Sequence, residues 1–345
     1  MNLLKTRSTM IAVASRHRRR RIMAAMVVAA CAWSGTLAAQ STLPAKGIVQ
    51  WVTLGTNSGP LAFSDRAQPA NLLVADGQYI VVDAGDGASE SLLRKGVFLD
   101  DVHAVFISHL HFDHTGGLFA LLGRRYQARG VSPLTIYGPP GTKRTVDALI
   151  AAMQPMAEAE GEGGVFSALA KSKPGDNIKV VELVDGSRVK LGNVNVSAAV
   201  NTHYVLSDET GKGNHSLAFR FDAPGRSIAY TGDTGPSKKV EALAKNADLL
   251  VSEIMDPDES LDRLSEMAKD LNFVVLAVAK HALRSHFVEE HLSPDEVGLM
   301  AKRANVKSLL LTHNALAASS LDGAHARIAK NYSGPITFAE DMHAY

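Results

Sequence analysis

His109-Leu110-His111-Phe112-Asp113-His114 places four side chains of the metal-ligand type within six residues. The apolar, β-branched run 104–108 precedes this stretch and Thr115-Gly116-Gly117 follows it, so it reads as the loop between a buried strand and a helix start. In an extended segment residues i and i+2 point the same way. His109 and His111 are therefore able to share one ion, while the turn after them re-aims Asp113 and His114 toward a second. The bland alternative is a solvated polar loop. Burying several unpaired imidazoles and a carboxylate beside an apolar strand would be costly without a metal, which favours a metal centre.

Outward along the chain, His203 in Asn201-Thr202-His203-Tyr204, Asp233 in Thr231-Gly232-Asp233-Thr234 and His313 in Thr312-His313-Asn314 each stand just beyond a strand-like run. With the loop they make seven candidate ligands, enough for two zinc ions sharing a carboxylate. Strands are expected at 49–54, 71–75, 79–83, 104–108 and 134–137, and again at 178–183, 194–198, 216–221, 227–230, 249–251 and 308–311. Helical periodicity covers 143–156, 238–247, 261–271 and 295–304, the last opened by Ser293-Pro294. Two blocks of strands with interspersed helices predict two packed sheets covered outside by helices.

The spacing resembles the metallo-β-lactamase superfamily, whose α+β fold is a four-layer αββα sandwich with a dinuclear metal site at one edge of the sheets. The resemblance implies that His109, His111 and His203 hold one zinc, that Asp113, His114 and His313 hold the other, and that Asp233 bridges them. Asp83, in Val82-Asp83-Ala84-Gly85, matches the family's strand-end Asp that supports the metal loop. His291-Leu292-Ser293-Pro294 and Glu253 in Val251-Ser252-Glu253 resemble the ribonuclease Z-like branch, which includes phosphodiesterases and arylsulfatase-like hydrolases. There His291, held by Glu253, would protonate the leaving group, and Asp113 would orient a metal-activated water. The implied function is zinc-dependent hydrolysis of a small phosphodiester or aryl or alkyl sulfate ester. A lactone, β-lactam or aryl-halide hydrolase and a noncatalytic metal-binding protein are the alternatives; Asp at the bridging position counts against β-lactam hydrolysis.

The basic run 16–21, the apolar stretch 22–33 and the small residues Ala38-Ala39 read as a secretory signal over residues 1–39, followed by one hydrolase domain over 40–345. A stretch of twelve apolar residues is shorter than the roughly 20 that span a bilayer, so no stable membrane anchor is expected after signal removal. Val28-Ala29-Ala30-Cys31 also fits a lipoprotein box, and Arg20-Arg21 loosely fits a twin-arginine signal. The expected location is periplasmic or secreted. Removal of 1–39 takes away seven basic residues and no acidic one, leaving 29 basic against 35 acidic and a net charge of about −6. That balance predicts a small-molecule substrate and no nucleic-acid partner; a homodimer is left open. The single cysteine, Cys31, lies within the signal, so any metal is held by His and carboxylates. Gly138-Pro139-Pro140-Gly141 is expected as a turn, residues 157–176 as a mobile excursion, and His215, His281 and His286 at edges or on the surface.

Overall fold

Most runs expected as strands pair into two sheets in the computed structural model, which describes residues 47–59, 63–128, 130–160, 173–205, 215–268 and 273–345. The described residues all lie in one unit spanning Thr42–Tyr345. The expected signal, Cys31 and most of the 157–176 excursion (161–172) fall outside the described residues; 157–160 close the helix Gln154–Glu160.

The first sheet runs in the order β1 (Val49–Gly55), β2 (Ala70–Ala75), β3 (Gln78–Ala84), β4 (Val102–Phe106), β5 (Leu134–Gly138), β6 (Ile178–Glu182). Its first three strands are antiparallel neighbours and β3 to β6 are parallel. The second sheet comprises β7 (Arg188–Leu191), β8 (Val194–Val200), β9 (Leu217–Ala223), β10 (Arg226–Tyr230), β11 (Leu249–Ile254), β12 (Leu309–Asn314) and β13 (Ile336–Phe338), ordered from β13 to β7. Strands β10 to β13 are parallel.

The twofold alternation of strand side chains makes the layers. Ile80, Val82, Ala104 and Phe106 point inward and meet Phe219, Phe221, Tyr230, Val251 and Leu310 between the sheets. Tyr79, Val81 and Val105 point outward onto helices carrying Leu92, Leu118, Leu121 and Val146. Leu250, Leu309 and Leu311 likewise face Val297, Met300, Ala301 and Ile328 on the far side. The chain is thus an α+β sandwich of two mixed sheets between helices, as expected.

Several elements differ from the sequence reading. The short edge strands β7 and β13 carry too few residues for the twofold pattern to register. The helix expected over 143–156 is two, Thr142–Ala152 and Gln154–Glu160. The helix expected from 261 starts at Pro257, capped by Asp256, whose carboxylate accepts from the amides of Asp258 and Glu259. The helix Phe273–Glu289 was not anticipated, because its apolar residues run almost all round and leave no 3.6-residue stripe. Among the described residues no helix is long and apolar enough to cross a membrane.

What positions the site is the parallel arrangement. The C-terminal ends of β3, β4, β10, β11 and β12 open toward one edge of the sandwich, and Leu217 at the start of β9 donates its amide to the Ser108 carbonyl just past β4, 2.9 Å away, joining the sheets there.

Candidate active site

The metal loop leaves β4 extended through His111, with ψ 151°, and turns into the four-residue helix Phe112–Thr115. That single change of direction splits the cluster as anticipated. One ring nitrogen each of His109, His111 and His203 lie within 4.8 Å of one another, and so do ligand atoms of Asp113, His114, Asp233 and His313. Asp233 stands between the groups. Its Oδ1 is 3.3 Å from His114 Nε2, while Oδ2 is 3.2 Å from His313 Nε2 and 3.9 Å from Nε2 of both His109 and His203.

Hydrogen bonds on the outer nitrogens set which atom each ring offers. His114 Nδ1 lies 2.8 Å from Asp83 Oδ2, and His203 Nδ1 lies 3.1 Å from the Glu290 carbonyl. Both partners only accept, so Nδ1 carries a proton and Nε2 is the nitrogen turned to the centre. His109 Nδ1 reaches Ser108 Oγ at 3.0 Å, and that hydroxyl donates to Asp83 Oδ2 at 2.8 Å. Asp83 therefore supports two ligands at once. It does so from the left-handed region, φ 59°, which Asp tolerates better than most residues.

The residues fit a pair of divalent ions. Nε2 of His109 and His114 and Oδ1 of Asp233 are buried and make no hydrogen bond among the described residues, a costly arrangement for polar atoms unless a cation meets them. Although burial opposes the charged form of Asp233, His313 and His114 hold its carboxyl well below the usual range. Asp113 is likewise held low by His114 and His313 against burial. His109 is pushed down by burial and by His114. Although burial opposes it, Asp233 and Asp113 raise His114 well above its usual range and Asp233 raises His313, so metal binding would displace protons from these two rings.

Beside this centre, His291 joins His203 and Asp233 in a third group with ligand atoms within 4.8 Å. Its Nδ1 is 2.7 Å from Glu253 Oε2, and the amide of Thr234 donates to Glu253 Oε1. Both side chains are buried. Burial, with Asp233 close by, raises Glu253 well above the carboxylate range, and burial lowers His291 to about 3. The pair therefore stays neutral overall, sharing one proton along the Nδ1–Oε2 hydrogen bond, with a further N–H of His291 on Nε2.

All nine site residues singled out in the sequence thus come together at one edge of the sandwich. His281 is exposed and His215 half-buried, in keeping with the reading of the sequence. His286 is also at an edge, with its side chain 33% exposed, but its closeness to the site was not foreseen: its ring centre lies 5.1 Å from that of His291 and 6.1 Å from that of His203. Ser108, Tyr230 and Glu290 were also missed. Only Ser108 carried a signal, its position directly before His109.

A family profile described as a beta-lactamase superfamily domain matches residues 78–314. The ribonuclease Z of Mycobacterium marinum is 29% identical over 301 residues, covering 86% of this chain and 98% of that protein. Among solved structures, the metallo-β-lactamase fold protein YhfI of Bacillus subtilis aligns with a TM-score of 0.59 at 19% identity, over 86% of this chain and 98% of its own. The short form of human tRNase Z aligns with a TM-score of 0.58 at 21% identity, over the same shares. At these identities the two structures speak for the fold alone. The relative named ribonuclease Z contradicts the expectation of no nucleic-acid partner. The physical error is that net charge sums the whole surface, whereas a phosphate backbone is gripped by a few local cations. With the profile matched over most of its length, the chain belongs to the β-lactamase superfamily, among its hydrolases of the metallo-β-lactamase fold.

Proposed function

We propose that the protein is a two-zinc phosphodiester hydrolase, with RNA among its substrates. His109, His111 and His203 would hold one ion, Asp113, His114 and His313 the other, and Asp233 both; a donor set dominated by imidazole favours zinc. Bound zinc supplies Lewis-acid polarisation of the ester and an activated water near neutral pH. Asp113 has the more exposed side chain of the two carboxylates, 17% against 4% for Asp233, and is the one able to orient the attacking water.

The observation that carries the reading is the buried His291–Glu253 pair beside the ligands. His291 Nε2–H is donated to the departing oxygen as its bond to phosphorus breaks. The proton shared with Glu253 then settles on Nδ1, and the Thr234 amide stabilises the carboxylate. A built-in acid contributes most when the leaving group is a poor one, as in a phosphodiester with an alkoxide or ribose leaving group. The likeness to proteins named ribonuclease Z supports the same choice.

The test is metal analysis of the full-length protein together with turnover of an RNA 3′ extension, bis(4-nitrophenyl) phosphate, an aryl sulfate, a lactone and a β-lactam. Two zincs with phosphodiester cleavage are expected, and Asp233→Ala should abolish both. Turnover confined to the sulfate, lactone or β-lactam, or a zinc-replete protein inert on every ester, overturns the proposal. We infer further that residues 1–39 direct export; recovery of the protein solely from the cytoplasmic fraction would reject this.

A further inference from the structure

Next to the His291–Glu253 pair the structure holds a second one. His286, on the last turn of the helix Phe273–Glu289, lies with Nδ1 2.5 Å from Oε2 of Glu290, one helical turn on. The Glu290 side chain is 6% exposed and the His286 side chain 33%, so the imidazole stands between solvent and a buried carboxylate. The backbone of this segment is what touches the site. The Glu290 carbonyl accepts from His203, and His291 is the next residue. The segment is also seated on the metal-ligand loop, because a Cβ on Gly235, two residues after Asp233, would strike the Glu289 carbonyl. At its other end Met255 donates to the Leu292 carbonyl at 2.9 Å. The His286 ring packs edge-on against His291, with planes at 88°.

We propose that His286 and Glu290 are a positioning pair. By clamping the segment that carries the Glu290 carbonyl and His291, they aim the proton donor at the departing oxygen and the ligand His203 at its ion. This rests on the reading of His291 as the donor. A misplacement of about 1 Å costs up to about a hundredfold in a positioned reaction, so the pair would govern how basic a leaving group the site accepts.

The test uses the zinc-replete full-length protein and a series of phosphodiesters whose leaving groups run from 4-nitrophenolate through phenolate to an alkoxide. His291→Ala should show a loss of kcat that grows with leaving-group basicity, reaching about 100-fold. His286→Ala should show the same trend more weakly, reaching about tenfold for the alkoxide, with zinc affinity reduced in chelator competition. His286→Asn keeps a donor where Nδ1 stood and should recover most of the loss; it also serves if the alanine variant does not fold. A loss in His286→Ala that is equal for all leaving groups, alongside a sloped one in His291→Ala, overturns the positioning role alone. A flat profile in His291→Ala overturns the donor reading and this inference with it.

Discussion

The Tyr230 hydroxyl lies 2.7 Å from Oδ2 of Asp83, so a side chain of the second sheet holds the carboxylate that supports the metal loop of the first. Burial and Asp83 raise the phenol well above its usual range, which keeps it a donor. Tyr230→Phe should therefore lower stability by about 1.5–3 kcal/mol, the worth of a buried hydrogen bond to a charged group. Urea unfolding checks this, and an unchanged midpoint would show that the strut is dispensable.

Asp83 accepts from the Ser108 amide at 2.7 Å as well as from Ser108 Oγ, Tyr230 and His114. An amide side chain has one acceptor oxygen and cannot serve all four donors. Asp83→Asn tolerates the same positive φ, so the backbone should hold while metal affinity falls about 10–100-fold. Competition with a chromogenic chelator measures the change; affinity equal to wild type would place the support elsewhere.

Metal binding should stabilise the fold, since it meets buried atoms of His109, His114 and Asp233 that otherwise lack hydrogen bonds among the described residues. Free zinc at one hundred times its Kd should add about 2.7 kcal/mol. The readout is the melting temperature of chelator-treated protein as zinc is added back, and Asp233→Ala should flatten the rise. A melting temperature indifferent to zinc in the wild type argues against binding to the folded state.

Away from the site, Asp248 links strands of the second sheet. Its carboxylate takes Lys307 Nζ at 2.6 Å and the amide and hydroxyl of Ser227 at 2.7 and 2.8 Å. Lys307 leads the effects that depress it to about 2, with Ser227 adding and burial opposing. Unfolded, an Asp titrates near ~3.9. The folded state thus binds fewer protons between about pH 4 and 2, and this stability is present above pH 4 and lost as pH falls toward 2. Asp248→Asn should be less stable than wild type at pH 6, with the gap closing on acidification. Urea midpoints across that range test it, and a gap independent of pH rejects the linkage.

The metal loop was legible because its ligands are neighbours in sequence and the strand before it is a local apolar run. His203, Asp233 and His313 were found because each follows such a run. Periodicity also placed most strands of both sheets, since the alternation that buries Ile80 and Val82 while turning Val81 outward is a property of a few adjacent residues. Net charge misled about nucleic acid because it carries no spatial information.

From the sequence by itself followed the sandwich and a cluster of candidate metal ligands, both written in local pattern. Tertiary structure alone decided what aims those ligands. Tyr230 and Asp83 are 147 residues apart, and His203 and Glu290 are 87 apart. Such pairs exist only once the two sheets stack and one edge closes, because hydrogen bonds of this kind depend on angstrom-scale packing between elements that no local periodicity encodes.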